Sequence, residues 1–95
     1  MVFKMSKFNR TKRENLKQRC LEYLGGKVCK LCRVDYLPLR CYDFHHDKGT
    51  KEYDISKMIA RGDKFSKIKK ELDKCVVSCK NCHAFIHWEE DNNIH

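Results

Sequence analysis

Two Cys-x-x-Cys pairs constrain this chain more than any other feature. Cys29 and Cys32 form the first pair, and Cys79 and Cys82 form the second. Two cysteines at this spacing can bring their thiolates to one tetrahedral zinc ion, and two such pairs complete a four-cysteine site. A chain of 95 residues buries only a small core and gains folding free energy directly from such a metal. The pattern therefore predicts a structural zinc site in one small domain.

The other cysteines and the first residues indicate the cellular setting. Seven cysteines cannot all pair within one chain, and residues 1–13 are polar and basic, unlike a secretory signal. No apolar run approaches the length of about 18–20 residues that spans a membrane. We therefore expect a reducing, cytoplasmic setting without a membrane, in which Cys20, Cys41 and Cys75 are buried thiols.

Much of the excess positive charge lies near the N-terminus. The chain has 21 Lys and Arg against 13 Asp and Glu, and its net charge of +8 suits a polyanion such as nucleic acid. Residues 1–26 predict a basic arm followed by a helix from about Lys12 to Leu24, with Thr11 and Glu14 as a capping box. A solvated helix face would explain the same charges. The side chains expected to contact a phosphate backbone are Lys4, Lys7, Arg10, Lys12, Arg13, Lys17 and Arg19.

Residues 27–95 predict the rest of an α+β domain. Alternation in the aromatic run Cys41–His46 favours a short strand, and residues 75–78 favour a second one. Helical spacing of apolar residues predicts two short helices before that second strand and a final helix over about 81–90.

The histidines point to a second kind of site. His45 and His46 are adjacent, so a strand directs them to opposite faces, and one can bind a metal while the other faces a substrate. His83 and His87 lie four residues apart, so a helix places both on one face, where they can bind the same ion. Three imidazoles leave open positions on a divalent ion, and a fourth, with an ordinary pKa near ~6.5, can act as a general base. This set of groups is typical of a metal-assisted phosphodiesterase.

The ordered motifs resemble the HNH endonucleases that carry a four-cysteine zinc. Cys-x-x-Cys, Asp-Phe-His-His and Lys-Cys-Val-x-x-Cys-x-Asn-Cys-His-x-x-x-His follow one another over roughly residues 27–88. The resemblance implies a ββα-metal (His-Me) finger, made of the two predicted strands and the final helix. It also implies hydrolysis of DNA phosphodiester bonds, with a divalent cation (Mg²⁺, Mn²⁺, Ni²⁺ or Zn²⁺) on His45, His83 and His87, and with His46 as the general base.

Two positions near this motif need a separate interpretation. Lys74 stands where the family usually has its namesake asparagine, which orders the loop that carries the base. Asp43 can replace a metal ligand or orient an imidazole through a hydrogen bond. Both residues are therefore candidates for holding the residues of the site in position.

We expect a zinc-stapled α+β domain with an N-terminal basic helix and a ββα-metal site. Its partner would be DNA, most simply double-stranded, and it would act as a monomer or a homodimer. By resemblance, such small enzymes are typical of phages and mobile elements. The main alternative is a zinc-knuckle module that binds nucleic acid without catalysis. An RNase on the same site and a protein-interaction zinc module are further alternatives.

Overall fold

The computed structural model describes residues 10–92, which form four α-helices and one two-stranded antiparallel sheet. In chain order the elements are helix α1 (Arg10–Tyr23), a 3-10 turn (Leu39–Cys41), strand β1 (Tyr42–His46), helices α2 (Ile55–Arg61) and α3 (Phe65–Leu72), strand β2 (Cys75–Cys79) and helix α4 (Lys80–Asp91). The predicted α+β class is confirmed. No helix within residues 10–92 has the length and apolar character needed to cross a membrane.

The start of α1 differs from the prediction. The helix already includes Arg10, so Thr11 lies inside it and the predicted capping box is wrong. Glu14 pairs instead with the Arg10 side chain, at 3.4 Å and one helical turn away. The residues before Arg10, which include the predicted basic arm, lie outside the described part of the chain.

The apolar stripe of α1 packs into the core as predicted. Its buried residues are Leu16, Cys20 and Leu21. The helix is followed by Gly25 and Gly26, whose φ angles of 106° and 107° are ones that side-chain-bearing residues avoid. The two glycines therefore allow the chain to turn sharply into the first Cys-x-x-Cys pair.

The cysteines outside the two pairs are only partly as expected. Cys20 and Cys75 are buried, and burial raises the pKa of their thiols to about 11 and about 12. Cys41 is only half-buried, so the prediction of a buried thiol is wrong there. It lies at the end of the 3-10 turn, immediately before β1, where the chain is not yet enclosed by the core.

The two strands place neighbouring residues of β1 on opposite sides of the sheet. Tyr42 pairs with Cys79 and His46 pairs with Cys75, which sets the whole register. Tyr42 and Phe44 are buried in the core. Because side chains alternate along a strand, Asp43 and His45 face the other way, toward α4.

Helices α2 and α3 lie between the two strands in the chain. The Asp54 side chain caps α2 by accepting a hydrogen bond from the backbone N–H of Ser56 at 2.9 Å. Gly62 ends that helix with a φ of 75°. The buried residues of α3 are Ile68, Glu71 and Leu72, so a carboxylate stands beside the two apolar side chains that anchor this helix.

Helix α4 follows β2 without a connecting loop, and none of its residues is buried. Phe85 and Trp88 are 57% and 50% exposed and stack on one another with ring centroids 5.7 Å apart. The helix is therefore held mainly at its N-terminus, where it leaves the sheet. That end carries the second Cys-x-x-Cys pair and the first of the two helical histidines.

Candidate metal centres and active-site cleft

The four cysteines converge on one point. The Sγ atoms of Cys29, Cys32, Cys79 and Cys82 all lie within 4.8 Å of one another. The Sγ atoms of Cys32 and Cys79 are 3.8 Å apart, and two thiolates bound at about 2.3 Å in a tetrahedral zinc site are also about 3.8 Å apart. The predicted convergence is confirmed, and the cluster could hold one metal ion.

Both cysteine pairs use the same local hydrogen bond. The backbone N–H of Cys32 donates to Sγ of Cys29, and that of Cys82 donates to Sγ of Cys79, each at 3.4 Å. Burial raises the pKa of the Cys29 thiol, but nearby backbone N–H groups, that of Cys32 foremost, outweigh it and lower the pKa to about 6. At Cys29 the backbone therefore favours a thiolate, the form that binds metal, whereas burial and the neighbouring thiols raise the pKa of Cys82 to about 12.

The first pair is tied to the sheet by main-chain contacts. The N–H of Lys30 donates to the carbonyl of Val77 in β2 at 2.8 Å. The N–H of Cys29 donates to the carbonyl of Val34 at 3.0 Å, which closes the loop around the pair. Arg33 has a φ of 67°, the left-handed conformation that lets the chain turn there. These contacts bring residues near the N-terminal end of the domain against β2.

Strand β1 and helix α4 bring three imidazoles together. The ring centroid of His45 lies 5.2 Å from that of His83 and 6.3 Å from that of His87. The Nε2 atoms of His83 and His87 are 3.1 Å apart. Two nitrogen ligands bound to one ion at about 2.0–2.1 Å with tetrahedral angles are about 3.3 Å apart, so this pair fits a shared ion.

His45 stands further from this pair than a ligand would. Within residues 10–92, the four cysteines are the one group of three or more candidate ligands whose atoms all lie within 4.8 Å of one another. Burial, followed by the nearby His83, lowers the pKa of His45, which favours the neutral imidazole that metals bind. The role of His45 as a third ligand stays a prediction.

A carboxylate lies near the Nδ1 atom of each helical imidazole. Oδ2 of Asp43 lies 3.3 Å from Nδ1 of His83, and Oε1 of Glu90 lies 3.5 Å from Nδ1 of His87. A carboxylate that accepts the Nδ1 proton leaves Nε2 free to bind a metal. Of its two predicted roles, Asp43 therefore has the geometry for orienting an imidazole. Glu90 was not predicted, although its spacing of three residues from His87 places it on the same helical face.

Lys80 is the second partner of Asp43. Its Nζ donates to Oδ1 at 2.9 Å. Burial raises the pKa of Asp43, but hydrogen bonds from Lys80 and His83 outweigh it, and the pKa falls below its usual value. Asp43 is therefore ionised at neutral pH and is an obligate hydrogen-bond acceptor.

All four motif histidines line one cleft of about 540 Å³. His45, His83 and His87 lie on one side of β1, whereas His46 comes from the other face and contacts α3. Its Nε2 is 2.8 Å from Oε2 of Glu71. Lys51 and Lys80 contribute positive charge to the same cleft, and Asp43, Asp54 and Glu90 contribute negative charge. The cleft therefore combines imidazoles with charged groups of both signs.

Lys74 holds the loop that follows β1. Its Nζ donates to the carbonyl of Thr50 at 2.7 Å and to carboxylate oxygens of Glu52 and Glu71 at 3.0 and 3.2 Å. Its own carbonyl accepts the N–H of Asp47 at 2.9 Å. The residue at the family's asparagine position thus orders this loop through both its side chain and its main chain.

The predicted phosphate-binding residues have different surroundings. Lys4 and Lys7 lie outside the described residues. Arg13 and Lys17 line a cavity of about 270 Å³ that shares Asp43 with the cleft, whereas the Arg19 guanidinium lies 4.1 Å from the ring centroid of Phe65. Contact with a nucleic acid stays a prediction for all of them, and Arg13 and Lys17 are the ones close to the cleft.

Comparison with known proteins does not place this chain in a family. No family model, no curated protein and no solved structure matches it. Its resemblance to HNH endonucleases therefore rests on the motif residues and not on an overall match.

Proposed function

We propose that this protein is a metal-dependent endonuclease of the HNH type that hydrolyses DNA phosphodiester bonds. One observation carries the proposal. The Nε2 atoms of His83 and His87 face each other at 3.1 Å, with a carboxylate on each Nδ1 side, in the cleft that also contains His45 and His46. A pair of imidazoles oriented in this way is typical of a site that binds a divalent ion.

The helical imidazoles would act as ligands together with His45. Both Nε2 atoms bind only when they carry no proton, and the remaining ring proton of each then faces Asp43 or Glu90. When bound, a divalent ion supplies electrophilic stabilisation of the negative charge that grows on the phosphate oxygens. Lys51 and Lys80 would attract the phosphate into the cleft.

His46 would act as the general base. A neutral imidazole can take a proton from water, while that water attacks phosphorus in line with the leaving 3′-oxygen. His46 lines the cleft, and its side chain is 13% exposed, so the ring is held in place but remains accessible.

The four-cysteine cluster would supply stability. Cys79 both belongs to this cluster and caps the N-terminus of α4, because its sulfur accepts the N–H of Cys82. A zinc ion bound there would therefore hold the first turn of the helix that carries His83 and His87.

The test is plasmid cleavage by the wild type and by His46→Ala in Mg²⁺, Mn²⁺, Ni²⁺ and EDTA. We expect metal-dependent nicking or linearisation, which falls by about 10²–10⁴-fold in the variant. His95→Ala is a matched control, since it is the histidine outside the motif. DNA binding of the zinc-loaded proteins, measured without added divalent ion, should persist in all three.

A zinc-knuckle module that binds nucleic acid without catalysis is the second candidate. The observation that favours it is that, in the described part of the chain, the four cysteines are the one group of three or more candidate ligands whose atoms all lie within 4.8 Å of one another. Wild-type protein that binds DNA and cleaves it with none of the ions would establish this candidate and overturn the nuclease.

A further inference from the structure

Glu71 is a buried carboxylate for which the motif provides no role. It is 2% exposed and stands on α3 between core side chains. Burying a charge costs free energy unless the charge is paired and hydrogen-bonded. Its partners therefore show why the charge is kept there.

The two oxygens of Glu71 have different partners. Oε2 accepts the backbone N–H of Glu52 at 3.0 Å and lies 2.8 Å from Nε2 of His46. Oε1 accepts a hydrogen bond from Nζ of Lys74 at 3.2 Å. Burial raises the pKa of this carboxyl, but these donors and the N–H of Tyr53 outweigh it and lower the pKa to about 2.

The ionised carboxylate determines which nitrogen of His46 carries the proton. A carboxylate without a proton can only accept, so Nε2 must be the donor in the 2.8 Å contact. In the neutral ring the lone pair then lies on Nδ1. Within residues 10–92, Nδ1 of His46 has no hydrogen-bond partner, and the only buried side-chain polar atom without one is Ser78 Oγ. Nδ1 is therefore accessible to water.

We propose that Glu71 is a positioning residue that fixes His46 with its proton on Nε2, so that Nδ1 takes the proton from the attacking water. This inference rests on the proposed function for the reaction, but the state of the ring can be measured without it. Lys74 contributes by binding the other carboxylate oxygen and so holding Glu71 in place. The Nε2–H to carboxylate contact also stabilises the imidazolium that forms when Nδ1 accepts the proton.

The first experiment compares Glu71→Gln and Glu71→Asp with Glu52→Gln in steady-state cleavage of a DNA duplex. Glu52 is a matched control because its carboxylate binds the same Lys74 Nζ but its side chain is exposed and does not contact His46. We expect kcat to fall by about 10–100-fold in Glu71→Gln with KM unchanged, less in Glu71→Asp, and less than twofold in Glu52→Gln. Equal rates for Glu71→Gln and wild type would overturn the proposal.

The second experiment needs no cleavage. Two-bond ¹H–¹⁵N correlation spectra of the zinc-loaded protein, labelled at histidine, report which ring nitrogen carries the proton. We expect His46 to be protonated on Nε2 in the wild type and to lose this single tautomer in Glu71→Gln. A wild-type ring protonated on Nδ1 would overturn the proposal, and this spectrum decides even if the variant does not fold. If the wild type fails to cleave DNA with any of the ions tested, the proposed function and the catalytic role of Nδ1 are overturned. The spectra would still decide which tautomer His46 adopts.

Discussion

The cysteine cluster and the histidine cluster share helix α4, yet they are held differently. The four sulfurs already converge, because backbone N–H groups bind Sγ in each pair and a main-chain hydrogen bond ties Lys30 to β2. The imidazoles are oriented by carboxylates at 3.3 and 3.5 Å, on a helix without buried residues. The side chain of His87 is 60% exposed.

This difference matches the demands of the two kinds of site. A structural zinc site has four protein ligands and is closed, and its binding free energy adds to folding. A catalytic site must leave positions open for water and substrate, so its ligands can be fewer and more exposed. We therefore expect changes to the cysteines to affect folding, and changes to the histidines to affect the reaction.

The largest effect should come from Cys79→Ala, which removes one of the four candidate metal ligands and the cap of α4. Structural zinc in small domains binds with about 10–16 kcal/mol, comparable to a whole domain's stability. We expect cooperative unfolding by circular dichroism to disappear and the zinc content to fall from one ion per chain. Cys41→Ala, outside the cluster, should keep both, and a zinc-free Cys79→Ala that unfolds like the wild type would contradict the cluster's role.

The double variant His83→Ala/His87→Ala should show the opposite pattern. Since α4 buries no side chain, we expect the thermal midpoint and the zinc of the cysteine cluster to be kept. Metal-dependent cleavage should fall by about 10²-fold or more, since ligand loss should exceed the effect of losing an orienting partner. Loss of the structural zinc in this variant would show that the two clusters are not separate sites.

Asp43→Asn should weaken binding of the proposed catalytic ion without removing one of its expected ligands. We expect the divalent-ion concentration for half-maximal cleavage to rise by about 10–100-fold, because His83 loses the charged acceptor on its Nδ1 side. Glu90→Gln is the comparison, and its effect should be smaller, since Glu90 is half-exposed and 3.5 Å from His87. An unchanged ion requirement in both variants would mean that neither contact orients its ring.

Glu71→Gln tests how much the buried carboxylate that contacts His46 contributes to the free energy of unfolding. We expect the free energy of unfolding to fall by about 1–3 kcal/mol at pH 7, the cost of removing a buried charged hydrogen-bond partner. The folded pKa of about 2 is lowered from 4.5, so the contribution is fully present above pH 4.5 and is lost as the pH falls toward 2. Urea unfolding of both proteins should thus give a difference that shrinks as the pH falls from 5 to 4, and a difference that stays undiminished over this range would contradict an ionised Glu71.

The smallest effect should come from Lys80→Gln at the junction of the two clusters. The Lys80 side chain is 61% exposed and lines the cleft, so we expect one phosphate contact to be lost. The slope of log affinity for DNA against log salt should become shallower by about 1. Lys67→Gln on α3 is the control, and an identical slope for both variants would remove Lys80 from the nucleic-acid surface.

Local spacing was enough to predict those features of this protein that follow from a regular residue pattern. Two-residue gaps identified the cysteine pairs, a four-residue gap placed His83 and His87 on one helical face, and apolar periodicity located all four helices and both strands to within a few residues. Such features depend on the geometry of one helix turn or one strand pleat. The capping box of α1 was wrong because Thr11 lies inside the helix and Glu14 pairs with Arg10, one helical turn away.

Contacts between distant segments depended on packing and could not be read from local patterns. The main-chain hydrogen bond from Lys30 to Val77 brings Cys32 close to Cys79, whereas the register of β1 against β2 and the start of α4 place Asp43 against His83. Glu71 is separated from His46 by 25 positions, and nothing local distinguishes it from the solvent-facing acids around it. Spacing along the chain therefore determines which side chains can share a face, whereas the folded core determines which faces meet.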